Sequence, residues 1–226
     1  SSDVCSSDLA EIVEVERAAT ASKTPLFVLG GGSNVVVADR GFDGAVLQVA
    51  SRGIASSVDG GRARWVAEAG EPWDELVARA ADEGLAGVEC LAGIPGKVGA
   101  TPMQNVGAYG QDVAQVITRV EALDRETGAA RWLSREECRF GYRTSALKHA
   151  RLPSGELRWV VLRVEIELAR SAESAPIAYA ELASALGVPV GGRAPVALVR
   201  DTVVRLRRGK GMVLDPADPE SVSAGS

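Results

Sequence analysis

The stretch Gly93–Gly110 reads GIPGKVGATPMQNVGAYG and decides what kind of fold this chain can adopt. Its five glycines and two prolines are too many interruptions for a helix or a central strand. It also holds apolar side chains that a flexible linker would not need: Ile94, Val98, Met103, Val106 and Tyr109. Because glycine lets a backbone approach a ligand closely, the stretch is either a tightly packed system of turns or the wall of a cofactor pocket.

A second glycine-rich loop follows the apolar run Leu26–Leu29, which we expect to be a strand. The loop consists of Gly30, Gly31, Gly32, Ser33 and Asn34. The β-branched run Val35–Val37 predicts another strand, so the order is strand, loop, strand. That order excludes the dinucleotide-binding fingerprint, which needs a helix directly after its glycines. The loop is then either a nest of backbone N–H groups that binds an anion or a plain glycine hairpin.

A phosphate-binding Walker loop is excluded as well. It requires Ser or Thr after its Gly-Lys pair, and neither Gly96-Lys97 nor Gly209-Lys210 is followed by one.

Composition is that of an ordinary globular protein, with 226 residues, 46% hydrophobic and 24% charged. The formal net charge of −5 argues against nucleic acid or an anionic membrane as a partner. No apolar run approaches the ~18 residues of a membrane span. Three separated cysteines and one histidine indicate a reducing, cytoplasmic setting and no metal site. We expect Cys90 and Cys138 to be inert core thiols and His149 to be exposed to solvent.

Periodicity, caps and turn residues predict an α+β chain. The predicted helices are Leu9–Ser22, Pro72 to Gly84, Tyr179–Leu186 and Pro195–Arg208, with a short one begun by a capping box of Ser134 and Glu137. The further predicted strands are Ala45–Val49, Arg64–Ala67, Val116–Asp124, Arg131–Leu133 and Val160–Leu168.

Two boundaries divide the chain into three segments. Ser1–Asp8 builds no periodic face, and we expect it to be a tag or non-native segment outside the fold. Residues 9–168 then form one domain, and the polar stretch Ala169–Ala175 is the linker that opens a second, 169–226. Because the chain stops at Ser226 directly after a turn-rich stretch, we expect the second domain to be partial.

Four motifs in order resemble one family: GGGSN (30–34), the stretch 93–110, CRFGYRTSALK (138–148) and RRGKGMVLDPADPESVSAGS (207–226). They are similar to the UDP-N-acetylenolpyruvoylglucosamine reductases (MurB), flavoproteins of peptidoglycan synthesis. The resemblance implies an FAD-binding domain of the vanillyl-alcohol-oxidase (PCMH) type, followed by the start of a small α/β substrate-binding domain. It also implies that NADPH reduces the bound FAD, which then reduces the enolpyruvyl double bond of a UDP-sugar.

The resemblance assigns the cofactor to the two glycine-rich loops. The residues that it implies for FAD are Gly30, Gly31, Gly32, Ser33, Asn34, Gly93, Ile94, Pro95, Gly96, Gly99, Ala100, Thr101, Asn105, Gly107, Ala108 and Tyr109. The adjacent amides Gln104 and Asn105 either satisfy loop backbone or contact the flavin or the substrate.

For catalysis the resemblance implies Arg143 as the cation beside the developing enolate and Ser226 as the proton donor. The residues implied for the UDP-sugar are Tyr142, Tyr179, Lys210 and Gln104. Tyr142 either orients the neighbouring arginine or merely packs. The simpler interpretation of Arg205, Arg207, Arg208 and Lys210 is that they complement the C-terminus of their helix.

A glutamate that the family uses near its C-terminus has no counterpart here, which puts turnover by this chain in doubt. Two alternatives therefore stay open. The first is that the protein is another FAD oxidoreductase on the same scaffold. The second is that the chain is a flavin-binding module without turnover. We expect a monomer.

Overall fold

The computed structural model describes residues 2–6 and 8–213, where helices combine with a small parallel sheet and a larger antiparallel one. This confirms the predicted α+β class. Within the described residues, no helix is both long and apolar enough to cross a lipid bilayer.

Three parallel strands form the small sheet in the order first, third, second: β1 (Ser2–Ser6), β2 (Leu26–Leu29) and β3 (Ala45–Val49). Helix α1 (Leu9–Ser22) connects β1 to β2, which lie on either side of β3 and both run parallel to it, so the chain must cross over between them. The Asp8 carboxylate begins the helix by accepting a hydrogen bond from the backbone N–H of Ala10 at 3.0 Å.

The expectation that residues 1–8 lie outside the fold is wrong for Ser2–Ser6 and Asp8. Ser2–Ser6 pairs with Ala45–Val49 along the whole of β3, and Asp8 caps α1. A sheet-edge strand is joined through backbone groups, so a polar segment can take this place without an alternating apolar pattern.

The other strands in the described residues are, in chain order, β4 (Ile54–Asp59), β5 (Arg62–Glu68), β6 (Leu85–Ala86), β7 (Gly107–Ala108), β8 (Gln111–Asp112), β9 (Ile117–Asp124), β10 (Ala129–Ser134) and β11 (Trp159–Arg170). β7 and β8 pair only with each other. The larger sheet has the order β10-β9-β11-β5-β4, with β6 paired to the end of β11. All five strands predicted after Leu29, apart from Val35–Val37, are confirmed to within a few residues.

β4 was not predicted. It forms a hairpin with β5 whose central residues, Gly60 and Gly61, have φ of +53° and +82°, as a type I′ turn requires. Most of β4 is exposed, so it has no buried face that would produce an alternating pattern. The Gly-Gly pair is the one signal that could have revealed it.

Helix α2 (Trp73–Asp82) begins after Pro72 and ends before Gly84, as predicted. Its predicted stripe is buried: Trp73, Leu76, Val77 and Ala80. The indole N–H of Trp73 donates to the carbonyl of Leu91 at 3.1 Å, which anchors the chain just before residue 93.

Two short helices follow the stretch 93–110. α3 (Arg135–Cys138) begins with the predicted capping box, in which Ser134 accepts from the Glu137 N–H and Glu137 from the Ser134 N–H. The N-cap of α4 (Ala146–His149) is Ser145, whose hydroxyl accepts from the Lys148 N–H.

The C-terminal part is packed closely against the rest. β11 continues to Arg170, past the predicted domain boundary, and Ser174 in the predicted linker is completely buried. Helices α5 (Ala180–Leu186) and α6 (Val196–Gly209) confirm the prediction, α5 ending at Gly187 with φ +70°.

A buried ion cluster joins the small sheet to the large one. Arg125, which follows β9, reaches Glu16 of α1 at 3.4 Å and Glu156 at 3.2 Å. Glu156 also accepts a hydrogen bond from the Leu26 N–H of β2 at 2.7 Å. The small and large sheets are therefore linked by charge-assisted bonds.

The predicted strand Val35–Val37 is wrong. These residues have no regular structure, and Val36 is fully exposed. A β-branched run becomes a strand only where a neighbour offers pairing groups, and no described strand lies alongside. The dinucleotide fingerprint remains excluded, because no helix follows Gly30–Asn34 either.

Candidate active site

The stretch 93–110 is fixed to the start of α2 by backbone hydrogen bonds. The carbonyl of Gly96 accepts from Trp73 at 3.0 Å, and the N–H of Val98 donates to Glu71 at 2.8 Å. The Gly99 N–H donates to Ala69 at 2.8 Å, and a Cβ added at Gly99 would lie 2.5 Å from the Ala69 Cβ. The stretch is therefore a packed wall rather than a loose loop.

The two glycine-rich loops meet along a groove. A Cβ added at Gly31 would lie 3.0 Å from the Cα of Gly96, and one added at Gly96 would lie 3.1 Å from the Ser33 hydroxyl. Gly96 has φ +112°, a conformation that side chains disfavour. These positions need glycine because two backbones touch there.

The groove encloses a cavity of ≈ 300 Å³. Most of the predicted cofactor residues line it: Gly30, Gly31, Gly32, Ser33, Asn34, Ile94, Pro95, Gly96, Ala100 and Thr101. Gly99 lines an adjoining apolar cavity that also reaches Val28 and Met103. Among the described residues, the backbone N–H groups of 31–34 have no hydrogen-bond acceptor, which favours the anion-nest interpretation over the plain hairpin.

A second cavity of ≈ 480 Å³ lies at the other end of the stretch. It brings together the predicted residues Asn105, Gly107, Ala108, Tyr109, Tyr142, Arg143, Tyr179 and Lys210. The rings of Tyr109 and Tyr179 meet edge to face, with centroids 5.3 Å apart. Aromatic walls with several cations suit a ligand that has both flat rings and anionic groups.

Strained backbone is concentrated around this second cavity. Asn105, Tyr109 and Arg143 all have positive φ, of +46°, +50° and +54°. Such conformations cost about 1–3 kcal/mol for residues other than glycine and gather at functional sites. They support the assignment of the cavity as a ligand site.

Lys210 lies at the rim of the second cavity, where its ammonium pairs with Glu181 at 2.6 Å and faces the Tyr109 ring at 5.6 Å. The hydrogen bond to Glu181 raises the pKa of Lys210. The lysine is therefore fully charged at neutral pH.

Arg207 is the functional candidate that the sequence analysis missed. Expected to complement a helix end, it is instead buried, 2% exposed, and lines the second cavity. Its Nη2 donates to the Met212 carbonyl at 3.4 Å, while its Nε has no partner among the described residues. Burial lowers its pKa. The helical spacing from Val199 through Val203 to Arg207 already places it on the buried face of α6.

The remaining predicted residues are placed as follows. Gln104 was predicted for the substrate but lines the first groove, where it accepts a hydrogen bond from Asn34 at 3.2 Å. Gly93, with φ +69°, packs against Arg207. Tyr142 is 92% exposed, so it does not merely pack in the core. Ser226 lies outside the described residues.

The surroundings of His149, Cys90 and Cys138 agree with the expectation that these side chains are not reactive. His149 is exposed and bonds Thr144 at 2.6 Å. Burial raises the pKa of the Cys90 thiol to about 12 and that of Cys138 to about 11. Both thiols therefore stay protonated at neutral pH.

A comparison with known protein families covers both glycine-rich loops. A family model described as "FAD binding domain" matches residues 3–134, more than half of the chain. The chain belongs to this family of FAD-binding domains. Its cofactor is FAD, as predicted.

Curated relatives confirm the resemblance to the UDP-N-acetylenolpyruvoylglucosamine reductases. The protein of that name from Thermobifida fusca is 54% identical over 96% of this chain and 59% of its own length. The one from Streptomyces coelicolor is 52% identical, over 96% of this chain and 55% of its own length. The chain thus spans a little over half the length of these relatives.

Solved structures agree on the fold. The reductase (MurB) from Thermus caldophilus superposes with a TM-score of 0.63 at 27% identity, covering 92% of this chain and 62% of its own. A solvent-stable cholesterol oxidase superposes with a TM-score of 0.53 at 16% identity, covering 83% of this chain and 39% of its own, and shows the fold alone.

The residues of the first groove fit FAD. The contact between Gly31 and Gly96 leaves no space for a side chain between the two loops. The N–H groups of 31–34, which have no acceptor among the described residues, suit a pyrophosphate. The groove is also lined by apolar side chains, which suit a flat ring system. Among them are Phe27, Val28, Ile94, Val106 and Leu157.

Proposed function

We propose that the protein reduces UDP-N-acetylglucosamine enolpyruvate to UDP-N-acetylmuramate with NADPH, in the synthesis of peptidoglycan precursors. The observation that carries this proposal is the second cavity, where Arg143, Lys210 and Arg207 surround tyrosine rings beside the FAD groove. The similarity to the reductases of that name supports the choice of substrate.

In this proposal the Gly30–Asn34 loop binds the FAD pyrophosphate, and residues 94–101 form the wall along the rest of the cofactor. The chemistry that bound FAD would supply is hydride transfer from NADPH to the enolpyruvyl double bond. The packed wall holds the cofactor in place, because its backbone is bonded to Ala69, Glu71 and Trp73.

Arg143 binds the carboxylate of the enolpyruvyl group. The substrate double bond is conjugated with that carboxylate, so negative charge spreads onto its oxygens as the double bond is reduced. A guanidinium stays charged at any physiological pH and matches the carboxylate as a planar fork. The carboxylate carries more negative charge in the transition state than in the bound substrate. The guanidinium therefore stabilises the transition state more than the substrate.

Lys210, Arg207 and the tyrosines bind the rest of the substrate. In this proposal Lys210 binds the diphosphate, and its ammonium exchanges the ion pair with Glu181 for that contact. Tyr109 and Tyr179 supply aromatic surface beside it, and Tyr142 at the rim can cover the ligand. Ser226 is proposed as the proton donor to C2 of the enolpyruvyl group, after hydride has added at C3. The expected monomeric state, cytoplasmic location and lack of nucleic-acid or membrane partners stay predictions.

The test uses the chain loaded with FAD and titrated with UDP-N-acetylglucosamine enolpyruvate, followed by the visible spectrum of the flavin. We expect a saturable change that is weakened at least ~10-fold by Arg143→Ala and by Lys210→Met, since charge-assisted bonds are lost. Arg208→Ala is the matched control, because Arg208 is an exposed cation on α6 that lies outside the cavity lining.

Two results would contradict the proposal. One is a spectrum unchanged by the UDP-sugar at any concentration. The other is a response that Arg143→Ala leaves intact, with reduced flavin reoxidised only by oxygen, which would favour a different FAD oxidoreductase on this scaffold.

A further inference from the structure

Arg143 is held at the tip of a tight turn. The backbone N–H of Gly141 donates to the Thr144 carbonyl at 3.0 Å, and the N–H of Thr144 returns a bond to Gly141 at 3.3 Å. Arg143 has φ +54° within this turn. Because a residue other than glycine does not hold this conformation by itself, neighbouring groups must stabilise it.

Asn105 supports the turn on one side. Its Nδ2 donates to the Gly141 carbonyl at 3.0 Å, and its Oδ1 accepts from the Ala114 N–H at 3.0 Å. The residue is 6% exposed. The side chain predicted to contact the cofactor is therefore engaged with the protein on both of its polar atoms.

Ser145 supports the turn on the other side. Its hydroxyl donates to the Met103 carbonyl at 2.7 Å and accepts from the Lys148 N–H at 3.2 Å. Ser145 is 1% exposed. The turn is thus bonded to the stretch 93–110 at two points that lie on either side of Arg143.

These two points belong to a segment that lies between the two cavities. Met103 and Gln104 line the FAD groove, whereas Asn105 lines the second cavity. The hydrogen bonds of Asn105 and Ser145 therefore connect the wall of the cofactor groove directly to the turn that carries Arg143.

We propose that Asn105 and Ser145 are positioning residues that fix the Arg143 guanidinium at a set distance and angle from the flavin. The inference rests on the proposed role of Arg143 as the carboxylate ligand. Displacement of a charged group by about 1 Å can cost on the order of 10²-fold in rate. The hydrogen bonds of Asn105 and Ser145 are therefore enough to affect how well Arg143 binds the carboxylate.

Variants that keep the backbone separate this role from a general loss of structure. Asn105→Asp keeps the shape and the bond from Ala114 but puts an oxygen against the Gly141 carbonyl. Asn105→Gly removes both bonds and is compatible with positive φ. Ser145→Ala removes the bond to Met103, and Ser134→Ala is its matched control, because Ser134 caps α3 in the same way without touching the stretch 93–110.

The measurement is a calorimetric titration of the FAD-loaded chain with two ligands. UDP-N-acetylglucosamine enolpyruvate carries the carboxylate, and UDP-N-acetylglucosamine lacks it. We expect Asn105→Asp, Asn105→Gly and Ser145→Ala each to weaken the first ligand about tenfold and to leave the second unchanged, as expected for residues that act through one group. Ser134→Ala leaves both unchanged. In an Arg143→Ala background, the Asn105 and Ser145 substitutions have no additional effect.

The outcomes distinguish the two proposals. If the wild type prefers the carboxylate ligand through Arg143 but the Asn105 and Ser145 variants keep that preference in full, the positioning role is overturned and the proposed function stands. If the wild type binds both ligands equally and Arg143→Ala changes neither, both are overturned. Should one Asn105 variant fail to fold, the other and Ser145→Ala decide the question.

Discussion

Gly31 and Gly96 touch through their backbones: a Cβ at Gly31 would lie 3.0 Å from the Cα of Gly96. A side chain at Gly31 must therefore separate the two loops. We expect Gly31→Val to weaken FAD binding at least ~10-fold while the chain still folds, since the glycine loop is exposed at this position. Gly209→Ala is the control, because a Cβ there meets nothing within 4 Å. Equal FAD affinity in Gly31→Val and wild type would refute the closeness of the loops.

The buried pair of Glu16 and Arg125 predicts a large stability effect. The two side chains are 2% and 3% exposed, so removing the carboxylate leaves a buried guanidinium without one of its partners. We expect Glu16→Ala to lower the free energy of unfolding by about 3–5 kcal/mol, measured by urea denaturation. Glu83→Ala removes an exposed pair with Arg79 and should cost only about 0.3–0.5 kcal/mol. Similar losses in both variants would contradict the role of the cluster.

Acid should weaken the fold through Asp124. The Arg158 guanidinium donates to both of its carboxylate oxygens, at 2.8 and 2.6 Å, and holds the pKa of Asp124 below its usual value. A lowered pKa in the folded state adds stability above the unfolded pKa of about 3.9, and this stability is lost as the pH falls through the folded value.

We therefore expect Asp124→Asn to cost stability at pH 7 and to differ much less from wild type near pH 2, by denaturation at each pH. Glu126→Gln, which alters an exposed partner of the same arginine, should show little of this pH dependence. A difference between Asp124→Asn and wild type that stays constant with pH would contradict the assignment.

Replacement of Arg207 should raise the stability of the fold and weaken binding of the ligand. Its buried Nε has no partner among the described residues, and an unsatisfied buried polar group costs about 1–3 kcal/mol. We expect Arg207→Met to raise the free energy of unfolding by about 1 kcal/mol and to weaken binding of the UDP-sugar at least ~10-fold. Arg208→Met, on the exposed side, should change neither. A destabilised Arg207→Met protein that still binds the UDP-sugar as tightly as wild type would show that the arginine has a purely structural role.

Local signals in the sequence were sufficient for much of the fold. Pro72 and Gly84 mark the ends of α2, and Ser134 with Glu137 marks the start of α3, because caps and turn residues act within a few positions of the chain. The alternation in Val160–Leu168 reflects burial of the central strand. The two glycine-rich loops meet along one groove, and their contact with a common cofactor stays a prediction.

Non-local partners explain the errors. Val35–Val37 has strand-forming residues but no neighbouring strand, whereas Ser2–Ser6 has polar residues and finds one. The exposed strand β4 leaves no periodic pattern. Motif similarity singled out Arg143 and Lys210, which the structure brings together at the second cavity. It gave no sign that the Asn105 amide bonds Gly141 and Ala114, because these contacts depend on how the loops fold against each other.

The visible spectrum of the purified chain during titration with FAD tests the central claim most directly. We expect saturable uptake of one FAD per chain, with a resolved flavin band that persists through gel filtration and is lost in Gly31→Val. A chain that remains colourless after FAD titration, or a Gly31→Val variant that takes up FAD as well as wild type, would contradict the claim that the two glycine-rich loops form the cofactor groove.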